Sequence, residues 1–187
     1  MDIVYEGENN GYGYVVGADV KLFGEFVPGT DSWISFGWLR SREHIYGSDT
    51  TYTTTPNSRP FNVSLFFQDK FPHIEQLKMN LTLNFAGGFS YGKPGDLLKY
   101  RDRFESVNYT RADIGLTYSL EQGRDKVMAK PVLRKLRGIS ASIDILNLFA
   151  INNVSSYSWI TSADGNKCPV PNYLTGRQPN FKLRIDF

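Results

Sequence analysis

Apolar and polar residues alternate with a period of two in segment after segment of this chain, and no other feature restricts its fold as strongly. At the end of the chain Phe181, Leu183, Ile185 and Phe187 oppose Asn180, Lys182, Arg184 and Asp186. Further upstream, Ile139, Ala141, Ile143 and Ile145 oppose Ser140, Ser142 and Asp144. Ala112, Ile114, Leu116, Tyr118 and Leu120 oppose Arg111, Asp113, Gly115, Thr117 and Ser119. The run Leu77 to Tyr91 and the run Phe61 to Phe67 behave alike, the latter with Asn62, Ser64 and Gln68 on its polar side. Nearer the start, Val16, Ala18, Val20, Leu22 and Phe26 oppose Asp19, Lys21 and Glu25, with Phe23 on the polar side. Ile34, Phe36 and Trp38 oppose Ser35, Gly37 and Ser41. Such a period puts each set on one face of an extended strand.

About seven strands are therefore expected, and residues 1–8 are expected to hold the tail of another. The phase slips at Ile145-Leu146, which predicts a β-bulge. Phe, Tyr, Ile, Val and Thr favour strands, and the scattered Gly and Asn disfavour helix interiors. One helical turn is expected near Val127 to Leu136. Pro28-Gly29-Thr30-Asp31 and Lys70 to Glu75 read as short turns, whereas 47–59, 92–108 and 151–177 read as long polar loops. Only the basic segment 122–137 breaks this alternation of short and long connections.

The segments approach the ~9–11 residues that a tilted strand needs to cross a bilayer. Aromatics make up 14% of the 187 residues. Tyr12, Tyr14, Tyr46, Phe71, Phe89, Tyr91, Tyr109 and Phe149 gather at segment ends, where interfacial girdles belong. The reading is all-β: an antiparallel transmembrane β-barrel segment of about seven to eight strands in an outer membrane. On that topology the final strand ends at Phe187 on the periplasmic side, and an odd count of seven argues against a self-contained barrel. A soluble β-sandwich carbohydrate-binding module is the rival built from the same alternation, with typically shorter strands.

A net charge of +2 gives no case for nucleic acid. With Cys168 as the one cysteine, an internal disulfide is excluded. His44 and His73 are expected on opposite sides of the membrane, so no metal site is expected. No nucleophile and base pair up in the pattern, so neither an enzyme nor a cofactor is expected. Met1 leads into Asp2-Ile3-Val4-Tyr5-Glu6 without an export signal, so a native start further upstream is expected.

Several stretches, in order, resemble the C-terminal part of the barrel of TonB-dependent receptors. Gly11 to Val20 is similar to a strand preceding a periplasmic turn, with Asp19 near the usual acid. Tyr109-Thr110-Arg111-Ala112-Asp113 resembles its "Tyr-Thr-Arg-x-Asp" strand. Asn147-Leu148-Phe149 matches the penultimate-strand motif, and Asn180 to Phe187 looks like the closing strand. Val154 to Ile160 and Val170 to Arg177 resemble loops of Bacteroidetes-type receptors. The resemblance implies that residues 1–187 form the C-terminal portion of a barrel of about 22 strands, with the plug domain and N-terminal strands absent. It further implies nutrient uptake of a glycan, peptide, siderophore or cobalamin. The implied partners are outer-membrane lipid, the barrel-assembly machinery, the TonB complex through the plug, and a surface lipoprotein.

Phe187 resembles the terminal aromatic read by the assembly machinery. Tyr157, Trp159 and Tyr173 are the loop aromatics suited to stacking on a ligand, although loop packing explains them equally well. Asn147 is expected to make a turn or a hydrogen bond to the polar side. The polar-face charges Asp19, Lys21, Glu25, Lys78, Arg111, Asp113, Asp144, Lys182, Arg184 and Asp186 are expected to pair across strands. The alternative function is a self-contained small pore or anchor.

Overall fold

Two tight turns fix one end of the molecule. Pro28 presets the first turn position and Gly29, at φ 74°, supplies the left-handed second position. Pro72 and His73 repeat the arrangement, with His73 at φ 67° despite its side chain. The computed structural model describes residues 9, 11–46, 52–56, 58–95, 100, 102–121, 126–130 and 135–187. The strands are β1 Gly11–Val27, β2 Thr30–Ile45, β3 Thr53–Thr54, β4 Phe61–Phe71, β5 Ile74–Ala86, β6 Ser90–Tyr91 and β7 Phe104–Glu105. They continue with β8 Tyr109–Glu121, β9 Gly138–Leu146, β10 Val154–Thr161, β11 Lys167–Tyr173 and β12 Gln178–Asp186.

The main sheet is antiparallel, in the order β1-β2-β4-β5-β8-β9-β12, with β3 on β2. Its strands reach 17 residues in β1 and 13 in β5 and β8, longer than the ~5–6 usual in globular sheets. Neighbours in sequence are mostly neighbours in space, so each strand reverses the one before it. β1 and β12 consequently both run toward the tight-turn end. They are not paired with each other, and the sheet is open.

Register converts the sequence alternation into continuous rows. Leu22, Ile34, Leu65, Leu83 and Ala112 stand side by side across five strands. Met79, Leu116, Ile143 and Phe181 form another such row. On the opposite face Lys21, Ser35, Ser64, Asn84 and Arg111 align, as do Gln68, Asn80, Gly115, Asp144 and Asn180. Gly115 matters within that row, because a Cβ there would meet Asp144 Oδ1 and Asn80 Oδ1. The glycine lets both polar side chains lie over the backbone.

Nothing among the described residues packs a second layer on the apolar rows. Leu22 is 63% exposed, Ile143 57% and Phe181 67%. Among the described residues the buried hydrophobics are Ala86, Phe89, Ala112, Met128 and Val154. A large apolar side chain left in water forgoes about 1.5–3 kcal/mol relative to burial. A two-layer sandwich would have buried those rows, so the architecture departs from that rival.

Several expectations change. The slip at Ile145-Leu146 is no bulge, because β9 ends at Leu146 and the chain turns through Asn147, at φ 52°. Segment 151–177 is not simply a loop, since β10 and β11 pair in it as a hairpin. β5 stops at Ala86, so Phe89 lies outside it and Tyr91 belongs to β6. Tyr109 pairs with Ala86 on the polar face rather than joining an outward girdle. The ion pairs Arg111–Asp113 and Arg184–Asp186 run along single strands, not across them. A 3-10 turn at Lys126–Ala129 overlaps only the start of the helical stretch expected over Val127 to Leu136, and Met128 in it is fully buried. The expected strand tail at 1–8 and basic residues Arg124 and Arg134 lie outside the described residues.

Candidate functional site

Above the long-connection end, an asparagine-held turn continues the sheet by side chains. Asn153, 3% exposed, accepts from the Thr110 N–H through Oδ1 at 2.9 Å and donates through Nδ2 to the Thr110 carbonyl at 2.8 Å. Both backbone groups of Thr110 are thereby satisfied without a strand neighbour. Asn147 does the same for Ile151, donating through Nδ2 to its carbonyl at 2.9 Å and accepting its N–H at 3.0 Å. Its own N–H donates to Asp113 Oδ1, which also accepts from Arg111 Nε, each at 2.7 Å. The structural role expected of Asn147 is thus present in detail.

This turn launches β10. Alternation puts Tyr157 and Trp159 on one face of the hairpin, with their cross-strand partners Pro171 and Pro169. Ser156, Ser158, Ile160, Cys168, Val170 and Asn172 take the other face. There Asn172 Nδ2 donates to both serine hydroxyls, at 3.1 and 2.9 Å. The aromatic face meets the β6–β7 pair. Tyr157 stacks on Tyr91 with ring centres 4.1 Å apart and planes 14° from parallel. Trp159 approaches Tyr91 and Phe104 at 6.3 and 6.1 Å, and Phe89 lies 6.1 Å from Tyr157. Lys167 Nζ ties the hairpin down by donating to the Pro94 carbonyl at 2.8 Å. Arg59 sits over Phe89 and Tyr109 at 5.2 and 5.8 Å and donates to the Gly87 carbonyl.

Burial raises the Tyr91 hydroxyl above its ordinary value, and the neighbouring Tyr157 raises it further. The Tyr91 hydroxyl therefore keeps its proton at physiological pH. Chemically the cluster offers aromatic faces and hydroxyls, the set that stacks on sugars and peptides. Tyr157 and Trp159 are brought together, and one face of Tyr157 is already occupied by Tyr91. Tyr173 is not in the cluster: it pairs with Val154 at the hairpin base and is exposed. Phe187 stands one residue beyond β12 and is 79% exposed. His44 and His73 lie at opposite ends of the sheet. Among the described residues no group of three or more His, Cys, Asp or Glu side chains is placed to hold a metal.

The reading of Tyr157 and Trp159 as loop aromatics suited to stacking picked out two of the five rings of this cluster. Tyr91 and Phe104 come from another segment, and Phe104 and Arg59 carried no local signal. Comparison of the chain with protein-family models, with curated proteins and with solved structures finds no match.

Proposed function

We propose that this chain forms part of the wall and extracellular loops of an outer-membrane β-barrel of the TonB-dependent receptor kind, serving nutrient uptake. The observation that carries the reading is the uncovered apolar face, continuous in register from β1 to β12. Soluble monomers rarely leave more than a few hundred Å² of contiguous apolar surface in water. Lipid would cover these rows, while the opposite face, which carries most of the charged and polar side chains along with a few apolar ones such as Val15, Phe23, Trp33, Leu39 and Phe66, suits a wet or filled lumen. The tyrosine-rich hairpin above the long-connection end is the place for ligand capture, with a glycan or peptide as the favoured class.

Unpaired edges are not viable in lipid, so both β1 and β12 require partners. Because these two strands run the same way, an all-antiparallel closure takes an odd number of further strands. The protein expressed from its own gene should fractionate with outer membranes and shift mobility on heating in detergent. Recovery as a soluble monomer without detergent would sink the membrane reading. Uptake of a labelled oligosaccharide or peptide that persists in cells without TonB would sink the transport reading alone.

A further inference from the structure

The alternation along β2 does not stop at the apolar band. Its register with β1 is unbroken from Gly11–Ile45 to Gly24–Ser32. Arg40, Arg42 and His44 therefore share the outward face with Ile34, Phe36 and Trp38. Their cross-strand neighbours on that face are Val16, Tyr14 and Tyr12. Moving up from the tight-turn end, the face changes from aliphatic and aromatic side chains to two guanidinium groups flanked by tyrosines, within two rungs.

The surrounding rings form a frame. Tyr12 lies 5.1 Å from His44 and 5.9 Å from Tyr52, and Tyr14 lies 5.5 Å from Tyr52. Its hydrogen bond with Tyr12 is the main cause that raises the Tyr52 hydroxyl above its ordinary value, with burial next. Arg42 Nη1 donates to the Tyr52 carbonyl at 3.1 Å, which fixes its direction and leaves its other donors available. Among the described residues neither arginine forms an ion pair. Nearby acids are otherwise placed. Glu43 alternates to the opposite face, and Asp102 accepts from the Thr54 N–H at 2.8 Å. Glu105, by contrast, shares the lining of a cavity of about 190 Å³ with Arg40, Arg42 and Thr54, without an ion pair to either arginine.

We propose that Arg40 and Arg42, framed by Tyr12, Tyr14, His44 and Tyr52, hold the phosphate of an anionic lipid headgroup in the leaflet at the long-connection end. This rests on the membrane reading above. Two guanidinium groups with no ion pair among the described residues, directly above an apolar band, lie at headgroup depth, where tyrosines also collect. Guanidinium matches phosphate oxygens bidentately, and fixed cations at a membrane surface attract anionic headgroups. The charge has no such use if the face meets water.

The test uses the whole protein in lipid nanodiscs doped with bisphosphorylated lipid A, or with the same lipid stripped of its phosphates, and counts retained lipid by native mass spectrometry. Phosphorylated lipid is expected to be retained preferentially. R40A/R42A should lose about 30-fold in retention, on the scale of two surface cations, and R40K/R42K should recover most of it. Lys78→Ala, on the opposite face, should change nothing. Equal retention of both lipids, or full retention by R40A/R42A with heat-modifiable mobility intact, overturns the headgroup site and leaves the barrel standing. Displacement by inorganic phosphate also overturns it in favour of a simple anion site. Absence of heat-modifiable mobility in the unaltered protein overturns both readings together.

Discussion

The main sheet and the hairpin region above it are stabilised in opposite ways. In the sheet, backbone ladders are long and shift register only beside the tight turns, and among the described residues the apolar side chains meet no partner layer. In the hairpin region ladders are short, asparagine side chains take over backbone pairing, and aromatic rings pack on one another. The sheet thus leaves its apolar face uncovered, whereas the hairpin region supplies its own contacts. On the proposed function, a barrel wall and a binding surface would place just these different demands on a chain.

The sharpest way to break this contrast is a charge on the uncovered face. Ile143→Arg should cost about 2–4 kcal/mol if the residue faces the bilayer midplane. Denaturant unfolding from lipid vesicles measures it. A cost near zero would mean that the face meets water. Next in size is Asn153→Ala, which strands the Thr110 N–H and carbonyl at a buried site. A loss of about 1–3 kcal/mol is expected, confined to the hairpin region and visible as faster exchange of the Thr110 amide. Equal acceleration throughout β8 would erase the distinction between the two regions.

His73→Gly probes the sheet's turn end. It relieves a left-handed residue but loosens the unfolded chain, so a net gain of about 0.5 kcal/mol is expected. Smallest is the pH response of the ring cluster. The folded Tyr91 hydroxyl is raised, so between the ordinary value of about 10 and its folded value the unfolded chain has released a proton that the folded chain still holds. Stability is therefore full below pH ~10 and falls as pH rises through that window. Hairpin protection should decline there, and Tyr91→Phe should flatten the decline.

Strand faces and the two proline turns were legible in the sequence because both depend on residues a few positions apart. The polar-side placement of Phe23 belongs to the same class, and the sheet sets it beside Trp33 and Phe66. The strand end at Leu146 was misread because a turn through a left-handed asparagine shifts the phase of the pattern as a bulge does. The arginine pair showed no sign of its use, since its outward placement depends on unbroken register over the length of β2. Only tertiary structure joined Tyr91 to Tyr157, Phe104 to Trp159, and Asn153 to Thr110. Those contacts bring together segments 43 residues apart or more. A period of two fixes which way a side chain faces, but cross-strand register and loop packing decide which side chain it meets.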